Sequence, residues 1–235
     1  MAAKGENKDG NTGKGGNKEP KGSGNLWKSA AAVLTGNIAV FVIIAIVFVI
    51  IGYALSYVLG TLSGISFLYS GIGSYILAGV SGAVLALVVL WYVDGVIAVY
   101  GHIKDKKDVD YVSCITGSLG KVFSDANTAI LMAGIGFVAG IVSTFLGTVG
   151  AGALGAIVYG ILAAVYTAVA LVSANGERPV NPNFVETFQK VNGMSGNAGI
   201  YLWVTVLVGI IPGFGIVQTL MLPLGALVMN QSGKK

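Results

Sequence analysis

The fold is decided by residues 36–59, which read GNIAVFVIIAIVFVIIGYALSYVL and contain no charged side chain. A helix of this length rises about 36 Å, enough to cross the roughly 30 Å hydrocarbon core of a bilayer. The run belongs to a longer apolar block, because Asp94 is the only Asp, Glu, Lys or Arg between Lys28 and Lys104. The stretch therefore indicates a membrane-spanning helix rather than the core of a soluble domain.

The composition of the whole chain agrees with this interpretation. Charged residues make up 10% of the 235 residues, against about 25% in soluble domains. Two further blocks carry no charge, one between Asp125 and Glu177 and one between Lys190 and Lys234. Three apolar blocks of this length indicate an integral membrane protein.

Division of these blocks into segments of about 20 residues predicts six transmembrane helices. They are expected at 36–59, 75–101, 127–147, 149–174, 196–211 and 215–231. The last two reach only about 25 Å, so this third hairpin is expected either to span a thinned bilayer or to dip in and return. The predicted fold class is an all-α, polytopic membrane helix bundle of three hairpins.

The distribution of the cations predicts how the bundle is oriented. With six spans, all 14 basic residues lie on one face, and the positive-inside rule then places both termini in the cytoplasm. The polar, Gly-rich residues 1–25 are expected to be a disordered cytoplasmic tail, and residues 232–235 a short basic tail. We expect a single membrane domain over 26–231, in the plasma membrane.

Three similar fragments predict an internal threefold repeat. Each has an Asn between small and apolar residues at the start of a hairpin, namely Asn37, Asn127 and Asn197. Each follows a short segment with amphipathic spacing, which is expected to lie along the membrane surface. These segments are 26–35, 112–123 and 183–193, and the repeats run over about 26–101, 112–174 and 183–231. Chance similarity in a Gly- and Ala-rich chain is the alternative.

Two charged connections carry a resemblance to known families. One runs from GHIK at 101–104 to KVF at 121–123, and the other from NGERP at 175–179 to FVETF at 184–188. In both, a helix exits near a Gly and the chain re-enters through an amphipathic segment that contains an aromatic residue. Over most of 26–231 the chain resembles uncharacterised prokaryotic six-span membrane families, which are domains of unknown function, and the membrane domain fused to glycerophosphodiester phosphodiesterases. The resemblance implies a six-span fold and carries over no catalytic residue.

Small residues recur at helical spacing on the third and fourth predicted spans. One stripe comprises Ala133, Gly136, Gly140, Ser143 and Gly147, and the other Ala153, Ala156, Gly160, Ala163, Thr167 and Ala170. Small residues let helix backbones approach closely in lipid. We expect the two stripes to face each other within the chain; the alternative is that one of them faces an oligomer or a partner subunit.

Asp94 is the candidate functional polar residue inside the membrane. It lies about eight residues, or roughly 12 Å, from the end of its predicted span. A carboxylate at this depth is a candidate proton relay or cation site. Because no other span offers a basic partner, a structural carboxylate bonded to a Ser, Thr, Tyr or backbone group is the preferred interpretation.

The inventory of reactive side chains argues against catalysis. The chain has one His, His102, and one Cys, Cys114, so a His/Cys metal site, a Cys–His nucleophile pair and a disulfide are not expected within it. His102 is expected at the membrane exit. Cys114 is expected as a buried thiol, with acylation as the alternative.

The sequence therefore predicts a non-enzymatic multi-pass protein, with no catalytic residue, metal or cofactor. It would organise the bilayer or act as a subunit of a larger membrane assembly. The alternative is a small-solute or ion transporter or channel that uses Asp94. The expected partners are membrane lipids and either further copies of the chain or partner membrane subunits; nucleic acid is not expected.

Overall fold

The structure is a computed structural model that describes residues 25–62, 71–176, 183–211 and 214–234. The predicted tail, apart from Asn25, lies outside these residues. Within them, every regular element is an α-helix. The helices are α1 (Asn25–Gly36), α2 (Ile38–Leu62), α3 (Ile72–Lys104), α4 (Tyr111–Ser124), α5 (Ala126–Thr148), α6 (Gly152–Ser173), α7 (Phe184–Met194), α8 (Gly196–Val208) and α9 (Gly215–Ser232).

Four of the described helices, α2, α3, α5 and α6, are long and apolar enough to cross a membrane. This agrees with the multi-pass, membrane-embedded character predicted from the sequence. The remaining apolar pair is shorter, since α8 has 13 residues and α9 has 18.

Helices α3 and α5 run antiparallel, which provides two reference levels. At one end the Tyr75 hydroxyl lies 3.0 Å from Oγ1 of Thr148; we call this the upper end. At the other, which we call the lower end, α3 finishes at Lys104 and α5 begins at Ala126.

Glycines bring α3 and α5 into backbone contact. A Cβ added at Gly136 would collide with the carbonyl of Gly82, and one added at Gly140 would collide with the carbonyl of Ala78. The small-residue stripe of α5 therefore faces α3, and the expectation that it faces the stripe of α6 is wrong at these two glycines. The physical reason is that α3 carries its own small residues, Gly79 and Gly82, which permit the closer approach.

The small residues of the α6 stripe do not all face the same neighbour. Gly160 and Thr167 face the α8–α9 pair, whereas Ala153 and Ala156 near the upper end are exposed. Contact with α5 is made instead through Gly155, whose added Cβ would lie 2.8 Å from the carbonyl oxygen of Ser143. The turn that joins α5 to α6 contains Gly150 at φ 81°, a left-handed conformation that favours glycine.

The described residues of the α8–α9 pair contact α6 from Gly160 towards the lower end. These contacts run in order down α6 and into the turn after it: Ile210 with Gly160, Gln218 with Thr167, Gly225 with Leu171 and Gly233 with Asn175. Ile210 lies just after α8 ends, and we take it as the tip of the described part of the pair, since residues 212 and 213 lie outside the described residues. Because Gly160 follows the first residue of α6 by eight residues, the tip lies about 12 Å below the upper end.

The short helices pack beside the longer ones. α4 contacts α3, α1 contacts α9, and α7 contacts α8 and, less extensively, α6, while α3, α6 and α9 also contact one another. Each of the three short helices buries an apolar face. The buried residues include Leu26 and Ala30 on α1, Cys114 and Val122 on α4, and Phe188 and Val191 on α7.

Candidate functional site

Asp94 forms an ion pair with Lys121. The distance from Nζ of Lys121 to Oδ1 of Asp94 is 3.0 Å, and the Asp94 side chain is fully buried whereas that of Lys121 is 44% exposed. The structure therefore pairs Asp94 with a cation on the amphipathic helix α4, a partner that the sequence analysis did not consider. Sequence reasoning missed it because it compared Asp94 only with residues of the other spans.

Local interactions hold α4 in the position that delivers Lys121. Asp110 caps the helix by accepting a hydrogen bond from the Ser113 amide at 3.2 Å, as expected of an N-cap carboxylate. The indole Nε1 of Trp91 donates to the carbonyl oxygen of Ile115 at 2.8 Å. The hydrogen bond from Trp91 fastens α4 to the same part of α3 that carries Asp94.

His102 and Cys114 are brought together, although no Cys–His pair was expected. The Cys114 Sγ lies 3.5 Å from Nδ1 of His102, and that nitrogen also lies 3.1 Å from the carbonyl oxygen of Ala98. Burial raises the pKa of the Cys114 thiol, and the negative charge of Asp110 raises it further. The pair therefore holds a protonated, buried thiol, which is a poor nucleophile.

No described cluster of His, Cys, Asp and Glu has the composition to hold a metal ion. The three repeat asparagines do not meet one another in a site. Asn127 and Asn197 are exposed at the starts of α5 and α8, and Asn37 is half-buried, with its Nδ2 donating to the carbonyl of Val33 at 3.0 Å.

A cavity of about 420 Å³ lies between α2, α3, α6 and α9; we call it the α2–α9 cleft. It opens to the surface, since Tyr53 on one wall is 65% exposed and Ile216 on the opposite wall is 57% exposed. Tyr92 and Tyr166 at its inner end are buried. Its polar lining residues are Tyr53, Ser56, Tyr92, Tyr166, Gln218 and Thr219.

Hydrogen bonds fix the inner part of the cleft. The Tyr92 hydroxyl donates to the carbonyl of Thr219 at 3.1 Å. The Gln218 amide Nε2 lies 3.3 Å from Oγ1 of Thr167 and 3.2 Å from the carbonyl oxygen of Thr205. A single Gln side chain thus joins α9 to both α6 and α8. The sequence offered a signal for it, because a Gln within an apolar segment requires a partner.

Aromatic rings pack against one another on the lower side of the cleft. The Phe48 ring contacts those of Trp91 and Tyr92, each with centroids 5.1 Å apart, and a Cβ added at Gly95 would lie 3.0 Å from the Phe48 ring. Asp94 is not among the described residues that line the cleft. The ion pair and the cleft are therefore separate features, although both use residues of α3.

The short α8–α9 pair explains where the cleft lies. Gly215 and Ile216, in the first turn of α9, form part of its wall, so the cleft lies beside the tip of the pair.

Comparisons of the chain with protein-family models, curated proteins and solved structures find no match.

Proposed function

We propose that the chain is a non-enzymatic, six-crossing protein of the plasma membrane that organises the bilayer by thinning it beside the α8–α9 pair. The observation that carries this proposal is the contact of Ile210 with Gly160. It leaves the tip of the pair about 12 Å below the upper end of α6. One sector of the bundle is consequently thinner than the sector formed by α3, α5 and α6.

Lipid beside a short apolar sector must adapt to it. A bilayer accommodates a hydrophobic segment shorter than its core by thinning, at a cost of fractions of a kcal/mol per Å. The sector offers apolar surface to lipid on both sides of the tip, since Ile216 and Leu220 of α9 and Leu154 and Ile157 of α6 are exposed. A partner subunit that covers this surface is the second way to accommodate the mismatch.

The positions of the cations support an orientation with the lower end in the cytoplasm. Lys121 pairs with Asp94, Lys234 lies 5.7 Å from the centroid of the Tyr100 ring, and Lys190 lines a small cavity with Asn175. All three contacts are near the lower end, as the positive-inside rule requires of a cytoplasmic face. The packing of the short helices α1, α4 and α7 beside longer helices supports three repeats that each contain a short helix and a hairpin.

Two observations support a role without catalysis or Asp94-dependent transport. The carboxylate of Asp94 already has the ammonium group of Lys121 as a counter-charge, which disfavours uptake of a second cation at that position. The one thiol of the chain is buried and held protonated by its surroundings. The remaining role that fits the geometry is mechanical, through the shape of the bundle.

The depth of the tip tests the thinning proposal. Nitroxide labels at Phe214→Cys, beside the tip, and Val149→Cys, at the upper end, are compared in a Cys114→Ala background in dioleoyl phosphatidylcholine. Both native side chains are exposed. If the bilayer thins to meet the tip, a water-soluble relaxation agent reaches both labels equally.

Two outcomes contradict the proposal. Access of oxygen but not of the aqueous agent at position 214 would place the tip within hydrocarbon of normal thickness. Protection from both agents, with free access at position 149, would indicate a covering subunit instead of thinned lipid.

A further inference from the structure

We propose that the α2–α9 cleft binds the headgroup of a neutral, hydroxyl-bearing lipid of the diacylglycerol class. This inference goes beyond the proposed thinning and does not depend on it, because it rests on the chemistry of the cleft lining. The volume of about 420 Å³ lies in the range of small-molecule sites. It holds a glycerol unit with its two ester groups, while the acyl chains remain in the bilayer.

The absence of charge in the described lining selects the headgroup. Polar groups there are hydroxyl, amide and backbone groups, and none of the lining residues is Asp, Glu, Lys or Arg. A phosphate or ammonium group would enter without a counter-charge, which is costly in a low-dielectric site. A hydroxyl and two esters carry no net charge, so they do not incur this cost.

The arrangement of polar groups favours a ligand that enters from the side. Tyr53 and Ser56 are exposed on α2 at the rim, where their hydroxyls are available to ester and hydroxyl oxygens. The deeper polar groups, Tyr92 and Gln218, are already hydrogen-bonded within the protein. We therefore place the glycerol unit at the rim, between α2 and the first turns of α9, above the Tyr92 hydroxyl.

The outer face of α2 provides a surface for the acyl chains. Val42, Ile46 and Ile50 are exposed on this helix and precede the rim along it. A lipid whose glycerol unit lies at Tyr53 extends its chains along this face, in contact with apolar side chains. Lateral entry from the bilayer therefore requires no opening at either end of the bundle.

Gly52 offers a way to fill the cleft without disturbing the packing. It lines the cleft, and a Cβ added there meets no atom within 4 Å. Gly134 on α5 is the matched control, since a Cβ there also meets nothing within 4 Å and the residue is exposed. Gly52→Phe and Gly134→Phe thus add the same side chain inside and outside the cleft.

The test uses the full chain in phosphatidylcholine nanodiscs that contain a trace of diacylglycerol with a photoreactive diazirine at the first carbons of one acyl chain, next to the ester group that the cleft would hold. After irradiation, labelled peptides are mapped by mass spectrometry. We expect label on 48–56 and 215–222 that excess unlabelled diacylglycerol removes. Gly52→Phe should lower this labelling by about tenfold, Ser56→Ala should lower it less, and Gly134→Phe should leave it unchanged.

Two results overturn the inference. One is labelling of Gly52→Phe equal to that of Gly134→Phe, with both variants eluting as the wild-type species, because the cleft is then not the site. The other is equal, cleft-specific labelling by phosphatidic acid with the same photoreactive chain, because the lining then does not select a neutral headgroup. Neither result bears on the depth of the tip at position 214, so failure of this inference is distinguishable from failure of the thinning proposal.

Discussion

The Nζ atom of Lys121 lies 3.0 Å from Oδ1 of Asp94, and this contact joins an amphipathic helix to the one charge inside a long apolar helix. It explains how a carboxylate is tolerated at this depth, since a buried charge requires a counter-charge. The pair also holds α4 against α3, together with the Trp91–Ile115 hydrogen bond.

Removal of Lys121 should destabilise the protein more than removal of both charges. Lys121→Ala leaves the Asp94 carboxylate buried without its cation, a change that costs about 3–5 kcal/mol for a fully buried pair and less here because Lys121 is 44% exposed. Thermal unfolding in detergent measures the difference. In Asp94→Asn/Lys121→Ala we expect a midpoint above that of Lys121→Ala; an equal or lower midpoint would show that the pair does not account for the loss.

Close contact between α3 and α5 should make Gly140 intolerant of a side chain. In Gly140→Leu the added atoms meet the backbone of Ala78, which cannot move without separating the helices. Gly134→Leu adds the same atoms on the same helix where nothing lies within 4 Å. We expect Gly140→Leu to lower the unfolding temperature or prevent folding, with Gly134→Leu close to wild type. Equal stability of the two variants would contradict the packing of α3 on α5.

Alkylation should be slow at Cys114. Burial and the Asp110 charge raise the pKa of its thiol, so at neutral pH less thiolate is present than for an ordinary Cys, and the reactive fraction grows only as the pH rises through that higher pKa. The comparison is Ser113→Cys in a Cys114→Ala background, because Ser113 is exposed on the same turn. Maleimide labelling of the folded protein at pH 7 should be faster at position 113; a faster rate at Cys114 would indicate an activated thiol and reopen a catalytic role for the His102–Cys114 pair.

Accessibility labelling should separate the two ends of the bundle. In a Cys114→Ala background, a membrane-impermeant reagent added outside cells should label Thr148→Cys but not Ser124→Cys or Asn197→Cys. All three native residues are exposed, so burial does not explain a negative result. External labelling at position 197 would mean that the α5–α6 pair does not cross twice, and would contradict cytoplasmic termini.

Residue order alone was sufficient to predict where helices form. The span predicted at 36–59 is α2 at Ile38–Leu62, and the amphipathic segment predicted at 112–123 is α4 at Tyr111–Ser124. These features depend on interactions within one segment: a continuous apolar run favours a long helix, and an apolar stripe favours a helix with one buried face. The burial of Cys114 was also predicted and is confirmed.

Only the tertiary structure decided which surfaces meet. The spacing of Gly136 and Gly140 identified a packing face but not its partner, since small residues on α3 and on α6 satisfy the same spacing rule, and the structure selects α3. The partner of Asp94, the depth of Ile210 and the cleft beside Gln218 likewise depend on contacts between residues far apart in the chain. In lipid, where burial of apolar surface does not by itself bring helices together, these contacts are set by shape and hydrogen bonding, which periodicity within one helix does not encode.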